Sequence, residues 1–389
     1  MKFRIIESVK EIRNTAAFFK AAGDCGRNGF ELLNVEASGE AVRITGRSGS
    51  SVTFRADVSE PGAAAIGAGV LLDALKAVET MPEIVFMQDD NHTVTINEQD
   101  GFSSDVSTWE EAFTPDTMPE HTGRAVLSFS PDLVADSIRN VEHCICEDES
   151  KWAMCGINID WQGNNPEGLE DGHIYAIATD GRRLAWSDMG AIPAEIGEIP
   201  GSNFTVRKPV VSFIRANVTK TDRITFSVFS RTEKRAYGED VKRFYAVDFG
   251  RWHIADCTTM TDFPAWRRVI PAKSRLTGEF TLESGFLKES ERISKNTDKY
   301  RKVVFTVSFD GAVSMKAENA RQIIKSVEKV SVTGDFVFAM NIDYIREAVK
   351  AAGKKALRVM FGDPGRPFML QPDECSGAVI MPMLIEGYR

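Results

Sequence analysis

Two periodicities share this chain. Apolar and polar residues alternate at 51–58, 84–88, 93–97, 224–230 and 303–308, the pattern of half-buried antiparallel strands. Between them apolar positions recur at helical spacing. Val9, Ile12, Ala16 and Phe19 form one stripe, Leu133, Val134, Ile138 and Val141 a second, and Phe286, Leu287 and Ile293 a third. Each stripe follows a short alternating segment, at 2–8, 125–130 and 279–282. In the middle copy Ser130 suits an N-cap and Pro131 the first helical position. A second helix is predicted in each third: over 70–78, from about Pro209, and over 341–352. In the last of these Tyr344, Ile345, Ala348, Val349 and Ala352 share a face. The chain thus reads as six helix-plus-strands modules. The stretches 107–115 and 258–264 resemble each other and read as exits into linkers. The expected fold class is α+β, with three similar domains at 1–122, 123–272 and 273–389. Each carries two helices packed on antiparallel sheets.

Composition fits several globular domains: 389 residues, 43% hydrophobic and 26% charged. No run approaches 18 consecutive apolar residues, and the opening MKFRIIESVK lacks an apolar signal core, so a cytoplasmic location is expected. Cys25, Cys144, Cys146, Cys155, Cys257 and Cys375 form no CxxC pair and read as reduced thiols. His143-Cys144-Ile145-Cys146 offers half a zinc site, but no second ligand cluster follows, so neither metal nor cofactor is expected.

Net charge is −9, which taken alone argues against a nucleic-acid partner. Its distribution changes that picture. The helical windows 9–27, 66–81, 131–146, 207–220, 283–302 and 341–358 together carry +8, leaving −17 for the rest. Two readings stand: Lys and Arg are simply good helix-surface residues, or a basic helical surface faces a polyanion while the exterior repels it.

Enzyme motifs are missing. Gly67-x-Gly69 has Leu72 where a dinucleotide loop needs its third glycine, and no phosphate-binding P-loop, nucleophile elbow or HExxH pair occurs. No carboxylate cluster suits two metals. Asp180-Gly181 reads as a turn and Glu147-Asp148-Glu149 as a solvated loop. No catalytic residue is expected. A β-rich scaffold that binds only proteins remains the rival, although it would need no basic helices.

Four motifs then carry a resemblance: Ala178-Thr179-Asp180-Gly181-Arg182-Arg183-Leu184-Ala185, Asp262-Phe263-Pro264-Ala265-Trp266-Arg267-Arg268-Val269-Ile270-Pro271, Asp298-Lys299-Tyr300-Arg301-Lys302-Val303 and Val379-Ile380-Met381-Pro382-Met383. In order and spacing they resemble the bacterial polymerase sliding clamp, the beta subunit of DNA polymerase III. The resemblance spans essentially the whole chain. It implies a head-to-tail dimeric ring around duplex DNA that is loaded by an ATP-driven clamp loader and tethers the replicative polymerase, repair polymerases and other clamp-binding peptides. It implies a non-enzymatic processivity factor.

Carried over by motif, a hydrophobic groove between the second and third domains would be lined by Thr179, Gly181, Arg182, Arg183 and Leu184, by Pro264, Arg268 and Val269, and by Val379, Met381, Pro382 and Met383. Methionines adapt to varied ligands, though Met381 and Met383 equally suit packing of a last strand. Candidate DNA contacts are Lys20, Arg27, Lys151, Trp152, Arg207, Lys208, Arg215, Lys220, Lys299, Arg346 and Lys350, each of which also fits an ordinary solvated side chain. Val106, Phe286 and Leu287 are the expected dimer interface; the alternative for Phe286 and Leu287 is intradomain core. The sequence departs from the family at Arg182, where His is usual, at Leu384, where Arg is usual, in its tail beyond Leu384, and at Asn158, where an apolar groove residue is expected. Lys76 is the only cation of the second helix.

Overall fold

The computed structural model describes residues 1–5, 9–21, 32–47, 49–77, 84–88, 93–97, 103–109, 120–163, 165–166, 169–197, 202–235, 238–256 and 262–385. Six helices of eight or more residues occur among them: α1 Val9–Ala21, α2 Ala68–Ala77, α3 Pro131–Val141, α4 Lys208–Asn217, α5 Phe286–Ser294 and α6 Ile342–Ala352. Each coincides with a predicted helix. The stripe residues Ile12, Ala16, Phe19, Val134, Ile138, Val141, Ile345, Ala348 and Val349 are all buried. The chain forms two compact units.

The first unit comprises Met1–Pro131, Glu195–Pro200 and Pro209–Met260. Its twelve-stranded sheet runs through Ser51–Glu60, Trp252–Asp256, the hairpin Ile224–Arg235 with Gly238–Phe249, and out to Gly123–Phe129. Val52 lies opposite Trp252, so the strands cross without a break from the first predicted domain into the second. Aromatic packing fills the core beneath that join. Phe18 of α1 meets Phe213 of α4 at 4.4 Å, Phe213 sits edge-on to Trp252, and Trp252 stacks on Phe249 at 5.2 Å.

The second unit comprises Asp132–Ala194, Gly201–Lys208 and Thr261–Arg389. Nine antiparallel strands form its larger sheet, in the order Asn203–Arg207, Gly156–Asp160, His173–Thr179, Arg183–Ala191, Ser376–Ile380, Phe368–Gln371, Leu357–Phe361, Gly278–Leu282 and Val327–Ser331. A four-stranded sheet holds Lys302–Val307 and Phe336–Asn341 at one edge. Within that sheet Phe305 stacks on its cross-strand neighbour Phe338 at 5.1 Å, and Phe338 meets Phe368 of the larger sheet at 4.4 Å. Strands Arg183–Ala191 and Ser376–Ile380 pair with Trp186 opposite Gly377. Any Cβ on Gly377 would lie 2.4 Å from the Trp186 ring, so only glycine lets the buried indole cross this join. The boundaries expected near 122 and 272 each lie within one unit, where a sheet continues from one predicted domain into the next. Among the described residues no helix is long and apolar enough to cross a membrane.

Candidate functional site

Residues 179–183 form a turn that its own side chains build. Gly181 takes φ +88°, a conformation that side-chain-bearing residues resist. The Asp180 carboxylate accepts from the Arg182 and Arg183 amides at 2.8 and 3.0 Å, and its other oxygen accepts from Arg183 Nε at 3.0 Å. Thr179 Oγ1 donates to the Arg183 carbonyl at 2.7 Å and accepts from the Gly181 amide at 3.1 Å. Asp180 therefore acts as the turn residue that the sequence predicts. The last strand locks on when the Met381 amide donates to the Arg182 carbonyl at 3.0 Å.

Arg183 anchors this turn. Its guanidinium, 11% exposed, pairs with Asp180 and Glu347 and lies 4.2 Å from the Tyr344 ring centroid of α6. Burial works against its charge, but Cys144, Glu347 and Asp180 hold its pKa above the ordinary value. Burial, assisted by Arg183, pushes His143 down to about 3, and burial pushes the Cys144 thiol far up. The run His143-Cys144-Ile145-Cys146 is thus packed inward, with Cys144, Ile145 and Cys146 buried.

The segment 262–271 is held differently. Residues 262–271 contain one 3-10 turn, Trp266–Arg268, and no strand. Its fixing points are long-range. Arg267 forks onto the buried Asp160 at 2.7 and 3.0 Å, and Trp266 Nε1 donates to the same carboxylate at 2.8 Å. Arg267 also donates from Nε to Asn165 at 2.8 Å and stacks over the Trp266 ring at 4.5 Å. Trp266, 2% exposed, packs with Tyr175, Ile177, Leu184, Ile270, Met360, Met369 and Val379.

Together the turn, this segment and the last strand enclose a groove of about 910 Å³. Thr179, Gly181, Arg182, Arg183, Leu184, Pro264, Arg268, Val269, Val379 and Met381 all line it, brought together from three distant parts of the chain. Pro382 and Met383 do not. The Met383 amide donates to the Ala339 carbonyl at 2.7 Å, which carries the chain away along the strand Phe336–Asn341. Asn158 also lies elsewhere. It is fully buried on the strand Gly156–Asp160, and its amide donates to Phe204 O and Thr205 Oγ1 of the neighbouring strand Asn203–Arg207. Sequence reasoning missed Met154, Trp266, Ile270, Leu276 and the loop 362–367 as lining. Trp266 and Ile270 stood inside a recognised motif; the Gly362-Asp363-Pro364-Gly365-Arg366-Pro367 loop gave only a turn signal.

No family model and no curated protein matches the sequence. Solved structures do match over the whole length. The DNA polymerase III subunit beta of Borrelia burgdorferi, in complex with a natural product, is 18% identical with a TM-score of 0.79, covering 99% of this chain and 100% of that one. The beta subunit of Thermotoga maritima is 15% identical at 0.76, covering 98% and 100%. The DNA polymerase sliding clamp of Bacillus subtilis is 16% identical at 0.74, covering 99% of both. The chain has the sliding-clamp fold.

On this sliding-clamp fold the candidate DNA residues fall in both units. Lys20, Arg215 and Lys220 lie in the first, exposed on α1, on α4 and in the 3-10 turn Val218–Lys220. Lys220 reaches Glu11 at 2.6 Å. In the second unit Lys208 meets Glu147 at 3.0 Å, Lys151 meets Asp148 at 3.9 Å and Arg346 meets Asp343 at 3.4 Å. Lys299 lies over the Tyr300 ring, Arg207 ends a strand half-buried, and Lys350 is exposed. Trp152 is 47% exposed beside Lys151. Arg27 lies outside the described residues. Exposed pairs such as Lys208–Glu147 contribute little stability, so exchanging the carboxylate for a phosphate costs little. Of the three residues expected at a dimer interface, Val106 and Phe286 are fully buried, and only Leu287 keeps partial exposure, so of the three Leu287 alone has surface to offer a second copy.

Proposed function

We propose that this chain is a sliding clamp: a non-catalytic, cytoplasmic processivity factor of three clamp domains, at 1–122, 123–272 and 273–389. Two copies close head-to-tail into a ring around duplex DNA. The observation that carries the reading is the whole-chain likeness to bacterial beta clamps, at TM-scores of 0.74–0.79. The charge pattern agrees. Helical windows at +8 within a chain of −9 suit a ring that holds phosphates loosely and without sequence preference. The groove in the second unit would receive apolar anchor peptides from the replicative polymerase, the clamp loader and repair polymerases.

The decisive experiment is retention on DNA. The protein, loaded onto nicked circular plasmid by an ATP-driven clamp loader, should co-elute with the circle and fall off when the plasmid is cut. Retention on the linear product, or no retention on the circle, refutes a topological clamp. Light scattering should give about 86 kDa, twice the 43.0 kDa chain. Charge reversal of Lys208, Arg215 and Lys350 to Glu should impair loading, whereas a scaffold that binds only proteins would be indifferent.

A further inference from the structure

The groove has a chemical asymmetry that an apolar slot does not need. Its floor is apolar: Leu184, Val379, Trp266 and Ile270 are buried, with Met154 and Met381 beside them. Its rim is cationic. Arg182, Arg268, Arg275 and Arg366 line it, and all four are exposed. None of the four forms an ion pair with a described residue, in contrast to Arg183, which Asp180 and Glu347 already neutralise. Among the described lining residues Asp363 is the only carboxylate. Its Oδ1 accepts from the Gly365 amide at 2.8 Å as part of the 362–367 turn. Four uncommitted guanidiniums around one slot form a local positive field on a protein whose net charge is −9. Two of them, Arg275 and Arg366, come from stretches outside the recognised motifs, and a third, Arg182, is a departure from the family pattern.

We propose that this groove selects peptides in which an apolar anchor is flanked by aspartate or glutamate. The inference rests on the reading of the groove as a docking site for partner peptides and specifies which peptides it prefers. Apolar anchors displace water from the floor, and flanking carboxylates meet the rim guanidiniums in the forked geometry that arginine favours. A nucleic-acid strand answers the rim but leaves the floor without an aliphatic side chain to fill it, so the combination favours an acidic peptide.

The test uses the full-length protein and three fluorescein-labelled synthetic nonapeptides. They share a central Leu-Phe pair and are flanked by Asp, Ser or Lys. Fluorescence anisotropy should show the Asp peptide binding roughly tenfold tighter than the Ser peptide and the Lys peptide weakest, the sum of a few exposed ion pairs. The advantage should shrink toward unity as salt rises from about 50 to about 500 mM. R275Q/R366Q should remove most of it. Equal affinities for the Asp and Ser peptides, both lost in M381D, overturn the charge selection and leave the docking site standing. Binding of no peptide, or binding indifferent to M381D, overturns both. Equal binding of an Asp-rich peptide without Leu-Phe, or displacement by oligothymidylate at concentrations where unlabelled Asp peptide fails, also overturns the proposal.

Discussion

The two walls of the groove reach their shapes by opposite routes. The 179–183 turn is written in its own residues: the Thr179 and Asp180 side chains satisfy the backbone of Gly181, Arg182 and Arg183 within a five-residue span. The 262–271 segment has little such local support. Its position depends on Asp160, more than 100 residues away, which takes a guanidinium fork from Arg267 and an indole N–H from Trp266. A wall built locally survives damage elsewhere, whereas a wall pinned from afar fails when its pin is removed.

Three measurements break or sharpen this contrast. Asp160→Ala strands a largely buried guanidinium and an indole donor, and should cost about 3–5 kcal/mol in urea unfolding. Amide exchange should accelerate over 262–271 while 178–185 stays protected; equal loosening of both walls would erase the distinction. A smaller effect concerns the anchor of the local wall. Beneath Arg183, His143 keeps its proton off until about pH 3, while an unfolded histidine takes one up near 6.5. Lowering the pH through that window therefore feeds the unfolded state. Its contribution is full above about 6.5 and fades at about 1.4 kcal/mol per pH unit, or roughly 2–3 kcal/mol between pH 6 and 4. His143→Gln should flatten that part of the pH–stability curve, and an unchanged slope would show that the imidazole is not held neutral. Smallest is Gly181→Ala. Nothing lies within 4 Å of the added Cβ, so the cost is the left-handed backbone alone, about 1–2 kcal/mol, confined to 178–185. A larger loss, or loosening of 262–271, would mean that the turn is not self-contained.

Much of the fold is legible in the sequence. The 84–88 and 93–97 alternations are strands at those bounds, and all six predicted helices form. Ten of the twelve expected groove residues do meet in one cavity. Pro382 and Met383 escaped because a backbone pairing with Ala339 steers the chain after Met381, and nothing in their side chains announces it. Asn158 misled because its place in a strand says which neighbours flank it only once the sheet order is known. Phe286 illustrates the same limit: an apolar residue at the start of a helix has one periodicity whether it faces its own core or another chain.

The sequence by itself determined the elements, the local turn at Asp180-Gly181 and the excess of positive charge in the helical windows, because each depends on residues within a few positions of one another. Only the tertiary structure decided which distant stretches share a cavity, that Asp160 pins Arg267 and Trp266, and that four arginines ring an apolar floor. Those facts depend on strand order and long-range pairing, and no periodicity along one chain encodes how far apart in sequence two touching residues will be.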